Sequence, residues 1–239
     1  MNIVMPMAGK GTRLAKGEYG VPKPLVKVLG KTLIEWSVET LGLEGNYIFC
    51  CQKEHIEKYN IDKKLKGIIP DCQIVSMDFQ TRGPVESILE ATHLIDNDEE
   101  LIISDTDHYL IWDKKIFNEK IRTQNIDACV MVFPDEWNSS VASYVKLNNE
   151  GFVIEAAEKI PISKTATVGL HYYKHGSDFV RFANETINLG LSYKNEFYVT
   201  PSYNQFVKAE KKIITFPVTK MWALGSPSEL SLFVKEYSK

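Results

Sequence analysis

Short hydrophobic runs alternate with amphipathic segments through the first 135 residues of the chain. The run at 2–7 is almost continuously apolar, which predicts a strand buried on both faces. The segment 31–43 instead places Leu33, Val38 and Leu41 on one side at helical spacing, which predicts an amphipathic helix. The same reasoning predicts strands at 47–51, 73–77, 101–104 and 128–133, and helices at 84–94 and 113–123.

From residue 143 onward the predicted strands become shorter. Two apolar segments, 144–147 and 152–154, flank Asn148-Asn149-Glu150-Gly151, a sequence typical of a tight hairpin turn. Further strands are predicted at 165–173 and 212–217, and helices at 177–188, 202–209 and 228–237.

This alternation predicts an α/β fold with a mainly parallel sheet and helices on both faces. We expect the region after residue 143 to add a smaller β lobe on the substrate side. The sequence contains no internal repeat, low-complexity tract or linker. Residues 1–239 are therefore expected to form a single domain with two halves, 1–135 and 136–239.

Charge and hydropathy limit the partners of the protein. Lysine and arginine total 28, and aspartate and glutamate total 31, which gives a net charge of −3 for 239 residues. Proteins that bind nucleic acid usually have a clearly basic balance, so no nucleic-acid partner is expected. No apolar run approaches the ~20 residues that span a bilayer, so no membrane association is expected.

The cysteines predict a reducing compartment. Cys50, Cys51, Cys72 and Cys129 form no C-x-x-C pair and have no histidine beside them at metal-binding spacing. Cys50 and Cys51 lie in an apolar run, which favours buried free thiols. Because the N-terminus also lacks a signal-peptide pattern, we expect a cytoplasmic protein.

A glycine-rich segment, MAGKGTRL at 7–14, directly follows the first predicted strand. Gly9 and Gly11 allow the backbone to approach a ligand closely, and turned amide groups can hold phosphate oxygens. Lys10 and Arg13 add positive charge to the same segment. It does not match the dinucleotide fingerprint, because Leu14 stands where a third glycine belongs. An ordinary glycine turn remains the alternative interpretation.

A second motif, Pro22-Lys23-Pro24, follows about ten residues later. Each proline restricts its own backbone and that of the residue before it, so Lys23 lies on a stiff segment. A lysine held in this way can present a fixed point charge to a phosphate. A solvated lysine in a proline-rich loop is the alternative, which the nearby glycine-rich segment makes less favourable.

The two motifs together resemble those of the nucleotidyltransferases that activate sugar phosphates, the sugar-nucleotide pyrophosphorylases. That family has G-x-G-T-R-hydrophobic after its first strand and P-K-P shortly afterwards, as at 9–14 and 22–24 here. The segment 5–9 is most similar to members from capsule and surface-polysaccharide biosynthesis. The resemblance extends over nearly the whole chain and implies a Rossmann-like, GT-A-like nucleotide-diphospho-sugar transferase fold. It also implies a nucleotide-binding half at 1–135 and an acceptor-binding half at 136–239.

The resemblance implies transfer of NMP from an NTP to a small phosphorylated acceptor, with release of pyrophosphate. A sugar 1-phosphate is the default acceptor, a pyrimidine nucleotide (CTP, UTP or dTTP) is weakly favoured, and Mg²⁺ is the expected cofactor. A homodimer is left open.

Most residues expected to bind the nucleotide come from the glycine-rich segment and from Gln80-Thr81-Arg82-Gly83, which resembles the family's base-reading turn although Pro84 departs from it. Asp107 resembles the family's metal-binding aspartate, and Asp105 is a second expected metal ligand, because carboxylate oxygens suit Mg²⁺. The expected catalytic residues are Arg13, Lys23 and Asp107. The expected nucleotide-binding residues are Ala8, Gly9, Lys10, Gly11, Thr12, Arg13, Gln80, Thr81, Gly83 and Asp105.

The acceptor-binding residues come from the second half of the chain. Glu158 and Lys159 resemble the family's E-K pair, Gly169 its small-residue substrate wall, and Glu196 the glutamate of its N-E-F/Y-Y stretch. The segment 222–227 resembles the family's W-x-D-x-G-T-P end motif but departs from it, because Ala223 stands where a second metal-binding aspartate is expected. The resemblance therefore leaves open a site with one or two metal ions.

Three other interpretations remain at this point. The acceptor could be a non-sugar phosphate, such as phosphocholine or another small phosphorylated metabolite, used by a cytidylyltransferase. Asp105-Thr106-Asp107 is also a D-x-D pattern, which a GT-A-type glycosyltransferase would use to hold a metal on a sugar nucleotide. A regulatory nucleotide-binding module without catalysis is the third, suggested only by Ala223.

Overall fold

The computed structural model describes residues 1–9, 14, 19–136 and 141–237. These residues form thirteen strands, of which nine make one large sheet and four make two two-stranded sheets. The strands are β1 (Asn2–Pro6), β2 (Lys27–Val28), β3 (Lys31–Thr32), β4 (Asn46–Gln52), β5 (Gln73–Met77), β6 (Leu101–Ser104), β7 (His108–Ile111), β8 (Ala128–Pro134), β9 (Ser143–Leu147), β10 (Val153–Glu158), β11 (Thr165–Tyr173), β12 (Ile213–Pro217) and β13 (Lys220–Ala223).

Nine α-helices lie in the same described residues. They are α1 (Leu33–Leu41), α2 (Lys53–Tyr59), α3 (Ile61–Ile68), α4 (Pro84–Leu89), α5 (Thr92–Ile95), α6 (Lys114–Thr123), α7 (Gly176–Asn188), α8 (Val199–Lys208) and α9 (Pro227–Tyr237). None of them combines the length and the apolar character that a bilayer crossing requires.

Local sequence determines where α1 begins and ends. The Thr32 side chain accepts a hydrogen bond from the Glu35 amide, and the Glu35 carboxylate accepts one from the Thr32 amide, which forms a capping box. Gly42 ends the helix with a φ of 49°, in the left-handed region. The helix therefore starts two residues later than the predicted 31–43, because Lys31 and Thr32 pair in a short hairpin with β2.

The central sheet contains four neighbouring parallel strands in the order β5-β4-β1-β6. Strand β11 continues the sheet antiparallel to both β6 and β8, and β12 pairs parallel with β8. The antiparallel pair β9 and β10 extends the sheet from the first residues of β11. The predicted α/β architecture with a mainly parallel sheet is confirmed.

Hydrophobic layers cover both faces of the sheet. Ile3 and Met5 of β1 face one layer, which includes residues of α1 and α6. Val4 faces the opposite layer, which includes residues of α4, α7 and α8. Alternate residues of a strand point to opposite faces, so a strand covered on both sides is apolar throughout. The helices therefore lie on both faces, as the alternation of elements predicts.

The sequence pattern missed two helices between β4 and β5. Helix α2 buries no residue, and α3 buries only Ile61 and Leu65, so neither has a long apolar stripe. The predicted helix at 84–94 is divided at Glu90 and Ala91 into α4 and α5. The pair of β7 and β13 was also missed, because each strand has only four residues.

The four cysteines are free and buried, as predicted for Cys50 and Cys51. Burial raises the pKa of the Cys50 and Cys129 thiols to about 12, and also raises the pKa of Cys51 and Cys72. All four thiols therefore behave as core side chains rather than as nucleophiles.

Candidate active site

The carboxyl ends of β1, β4, β5 and β6 lie at one edge of the sheet, where open α/β sheets bind their ligands. Hydrogen bonds connect the segments that follow these strands. Gln52, the last residue of β4, donates from Nε2 to the carbonyl oxygens of Ala8 (3.2 Å) and Phe79 (3.1 Å). Gln80 Nε2 also donates to Ala8 O, at 3.4 Å. Ala8 and Gln80, both predicted to bind the nucleotide, therefore lie together.

The glycine-rich segment is described only at its ends. Gly9 is exposed, and Leu14 is buried in a cluster with Val26 and Trp36. The predicted site residues Lys10, Gly11, Thr12 and Arg13 lie outside the described residues. Their proposed roles stay predictions.

Lys23 begins a single 3₁₀ turn, Lys23–Leu25, whose residues Pro24 and Leu25 are buried. This packing fixes the backbone from which the lysine side chain extends. The Lys23 ammonium forms an ion pair with Asp107 Oδ2, and both side chains are largely buried. The structure thus brings together two predicted catalytic residues that are 84 positions apart.

Asp105, Asp107 and His108 form a cluster directly after β6. One ligand atom from each of these residues lies within 4.8 Å of the others. The Asp105 amide donates to Gly169 O at 2.8 Å, which ties the cluster to β11. Loss of solvent around Asp105, together with the negative charge of Asp107, raises the pKa of the Asp105 carboxyl. A cation between the carboxylates would relieve both effects.

The donor set of this cluster fits a divalent cation. Two carboxylates and one imidazole are common protein ligands of divalent metals. His108 Nδ1 is buried and has no hydrogen-bond partner within the described part of the chain, although it lies 3.2 Å from Asp107 Oδ1. The arrangement of the three side chains supports the predicted metal ligands Asp105 and Asp107. It adds His108 as a candidate ligand, which the sequence prediction did not include.

Gly169 lies where β11 changes its register with β8, between Thr167 and His171. Its φ is +70°, and a Cβ at this position would lie 2.2 Å from Asp105 Oδ2. The Asp105 carboxylate therefore occupies the space that any other residue at 169 would fill. The resemblance implies an acceptor-binding role for Gly169, whereas in the structure Gly169 packs against Asp105, one of the three candidate metal ligands.

Three of the predicted acceptor residues come together at a second cluster. Glu158 ends β10, is buried, and accepts a hydrogen bond from the Ser143 hydroxyl. Lys159 Nζ lies 3.3 Å from Glu158 Oε1 and donates to the Tyr198 hydroxyl at 2.9 Å. That hydroxyl donates to the Glu196 carboxylate. Burial raises the pKa of Glu158, and the Ser143 hydroxyl and Lys159 partly oppose the change.

Gly83 and Phe197 join the two halves of the chain. The Phe197 amide donates to Arg82 O at 2.7 Å, and the Val85 amide donates to Phe197 O at 3.1 Å. Gly83 has a φ of +110°, and a Cβ there would lie 2.7 Å from the Phe197 backbone. The close contact with the Phe197 backbone therefore requires glycine at position 83, independently of any contact with a nucleobase. Thr81, beside it, is buried and hydrogen-bonded to Ser87 at 2.7 Å.

Ala223, which stands where the family motif has an aspartate, lies beside the cluster of Asp105, Asp107 and His108. It pairs with His108 across the β7–β13 ladder, and the Leu224 amide donates to Asp107 O at 2.7 Å. The end motif therefore reaches the site through the backbone, although residue 223 offers no ligand atom.

Sequence reasoning missed four polar residues of these clusters: Gln52, His108, Ser143 and Tyr198. Two of them carried a usable signal: His108 follows Asp107 directly, and Tyr198 lies in the stretch that resembles the family's N-E-F/Y-Y motif. The contacts of Gln52 and Ser143 join separate segments, and a single sequence does not reveal such pairings.

Comparison with known proteins agrees with this geometry. A model of the MobA-like NTP transferase domain matches residues 3–157. A bifunctional sugar-1-phosphate nucleotidylyltransferase/acetyltransferase of Sulfurisphaera tokodaii is 30% identical over 214 residues, which are 87% of this chain and 49% of that protein. The chain spans about half the length of the curated relatives it matches.

Solved structures share the fold over nearly the whole chain. A nucleoside-diphosphate-sugar pyrophosphorylase from Vibrio cholerae RC9 superposes with a TM-score of 0.83 at 22% identity, covering 98% of this chain and all of that one. A UDP-glucose pyrophosphorylase complexed with UDP-glucose gives 0.78 at 21% identity, covering 99% and 98% of the two chains. At these identities the likeness shows the fold.

Proposed function

Because this chain belongs to the family of MobA-like NTP transferase domains, we propose that it transfers NMP from an NTP to a small phosphorylated acceptor and releases pyrophosphate. The nucleotidyltransferase family predicted from the two motifs is confirmed. The observation that carries the proposal is the placement of Lys23 against Asp107, beside Asp105, at the carboxyl edge of the parallel strands.

In this reaction an acceptor phosphate oxygen attacks the α-phosphorus of the NTP. A new P–O bond forms, and the bond to the β-phosphate oxygen breaks, so that pyrophosphate leaves with the electron pair. Such transfers depend mainly on positioning and on neutralising charge. The Lys23 ammonium stands at the cluster expected to hold the cation and can move its charge from Asp107 to the reacting phosphates. A divalent cation bound by Asp105 and Asp107 would supply further positive charge to the phosphate oxygens.

In this proposal the acceptor binds at the cluster formed by Glu158, Lys159 and Glu196. The Lys159 ammonium can bind the acceptor phosphate, and the Glu158 and Glu196 carboxylates can accept hydrogen bonds from hydroxyl groups. We propose a sugar 1-phosphate as the acceptor, which the name of the Sulfurisphaera tokodaii relative supports. UTP is the first nucleotide to test, because one solved neighbour binds UDP-glucose; CTP and dTTP follow.

The proposed function is tested by a screen that reads pyrophosphate release. ATP, GTP, CTP, UTP and dTTP are each combined with sugar 1-phosphates, phosphocholine and other small phosphorylated metabolites, with Mg²⁺ or Mn²⁺ present. We expect release to require one NTP and one acceptor together. Transfer of a sugar from a sugar nucleotide, without release of pyrophosphate, would instead support the glycosyltransferase interpretation of Asp105-Thr106-Asp107.

Several finer predictions stay predictions under this proposal. They are the division into a nucleotide-binding half at 1–135 and an acceptor-binding half at 136–239, Mg²⁺ as the cofactor, a role in capsule or surface-polysaccharide synthesis, a cytoplasmic location and a homodimer. The division of labour follows from the chemistry of the two clusters and is the most directly testable of them.

We expect Lys159→Ala to raise the acceptor KM and to lower turnover while NTP binding is almost unchanged. Lys159 contacts only Glu158, Tyr198 and the Tyr193 ring among the contacts of the described residues, all in the second half of the chain. Steady-state kinetics gives the acceptor KM, and calorimetry gives the NTP affinity. Lys194→Ala is the control, since the Lys194 ammonium lies over the same Tyr193 ring but forms no ion pair with Glu158 among the described residues.

Loss of NTP binding in Lys159→Ala, with acceptor binding retained, would place Lys159 on the nucleotide instead. That result would contradict the division into two halves. It would leave the nucleotidyltransferase proposal itself intact.

A further inference from the structure

One donor of the cluster after β6 differs chemically from the other two. Asp105 and Asp107 offer hard carboxylate oxygens, whereas His108 offers an imidazole nitrogen. His108 Nδ1 is shielded from solvent and lies 3.2 Å from Asp107 Oδ1, but makes no hydrogen bond among residues 1–9, 14, 19–136 and 141–237. A buried polar atom without a partner is unfavourable, so a native protein usually satisfies it with a ligand, ion or water.

The β7–β13 ladder holds His108 in this place. His108 pairs with Ala223, and the neighbouring pair joins Tyr109 to Trp222. Trp222 is buried in an aromatic cluster, so the register of the ladder is anchored by packing. Residue 223 contributes only a methyl group across from His108, and the imidazole is therefore the donor that this ladder adds beside the two carboxylates.

We propose that His108 is the third protein ligand of the cation and makes the site prefer Mn²⁺ or Co²⁺ to Mg²⁺. Mg²⁺ favours oxygen ligands, whereas imidazole nitrogen favours first-row transition metals. The inference rests on the proposed function only in that nucleotidyl transfer uses a divalent cation. It concerns binding, so it can be tested without a known acceptor.

The decisive experiment is pulsed electron paramagnetic resonance of Mn²⁺ bound to the full chain. A directly coordinated imidazole nitrogen modulates the echo, and oxygen ligands do not. We expect nitrogen modulation in the wild-type protein and its loss in His108→Ala, with His93→Ala as the control because His93 is exposed on α5. A wild-type spectrum without nitrogen modulation, or modulation that persists in His108→Ala, would overturn the inference.

Competition between Mn²⁺ and Mg²⁺ gives an independent measurement. His108→Asn places an amide oxygen close to the position of Nδ1, so it keeps a donor and removes the nitrogen. We expect Mn²⁺ affinity to fall at least about tenfold, the lower end for loss of even an outer-shell partner, while Mg²⁺ affinity changes little. Equal losses for both ions would show that His108 does not set the preference. Pyrophosphate release by the wild-type protein would still stand in that case, so the two proposals fail separately.

Discussion

Replacing Lys23 with alanine is expected to slow pyrophosphate release by about 10²–10³-fold, as removal of one preorganised charge from a transition state does. The same variant is expected to bind Mn²⁺ more tightly in the absence of nucleotide. Both effects follow from the ion pair between the Lys23 ammonium and Asp107 Oδ2. The ammonium competes with a cation for that carboxylate, and it is also the charge that the reacting phosphates require. Assays of pyrophosphate release measure the rate, and Mn²⁺ titration without nucleotide measures the cation affinity.

The opposite signs of these effects distinguish the proposed role from a structural one. A variant that merely disturbed the site would lose activity and cation affinity together. Lys27→Ala is the control, because Lys27 lies on the neighbouring strand β2 with an exposed side chain. Turnover near that of the wild type in Lys23→Ala would remove Lys23 from the mechanism.

The elements with long apolar runs could be predicted from the sequence. Strands β1, β4, β6 and β8 are buried over most of their length, and their hydrophobic runs are correspondingly continuous. The elements that could not be predicted bury little. Helix α2 has no buried residue, and the four-residue strands β7 and β13 bury only one residue each, Leu110 and Trp222. Periodicity reports burial, so elements without a buried face escape it.

The candidate site could be predicted where its residues follow a strand directly. Asp105 and Asp107 come after β6, and the position of such residues at the carboxyl edge follows from the parallel sheet. Contacts between distant segments could not be predicted. The ion pair of Lys23 with Asp107 spans 84 positions, and the hydrogen bond of Lys159 with Tyr198 spans 39.

Two glycines show the same limit. The resemblance implies that Gly83 belongs to a base-reading turn and Gly169 to a substrate wall. In the structure each faces another part of the protein: Gly83 contacts the Phe197 backbone, and Gly169 contacts the Asp105 carboxylate. Sequence identifies the need for a small residue, but only the fold identifies what occupies the space.

Gly169→Ala is expected to destabilise the protein and to weaken cation binding together. Its φ of +70° disfavours any residue with a Cβ, at about 1–2 kcal/mol. The new methyl group would also meet Asp105 Oδ2 at 2.2 Å, and overpacking of this kind typically adds about 1–3 kcal/mol. To relieve the contact, the Asp105 carboxylate or the backbone at residue 169 must shift, which disturbs the spacing of Asp105, Asp107 and His108. Urea unfolding and Mn²⁺ titration measure the two consequences.

A double-mutant cycle separates the contact from the backbone strain. In an Asp105→Ala background the clashing carboxylate is absent and only the contact with the Cβ of residue 105 at 3.0 Å remains, so Gly169→Ala should retain mainly the conformational part of its effect. Gly151→Ala is the matched control, because Gly151 has a φ of +86° with nothing within 4 Å of its Cβ position. We expect Gly169→Ala in the Asp105→Ala background to resemble Gly151→Ala in its loss of unfolding free energy. An equal loss in both backgrounds would show that Gly169 does not position Asp105, because the effect would then come from the backbone alone.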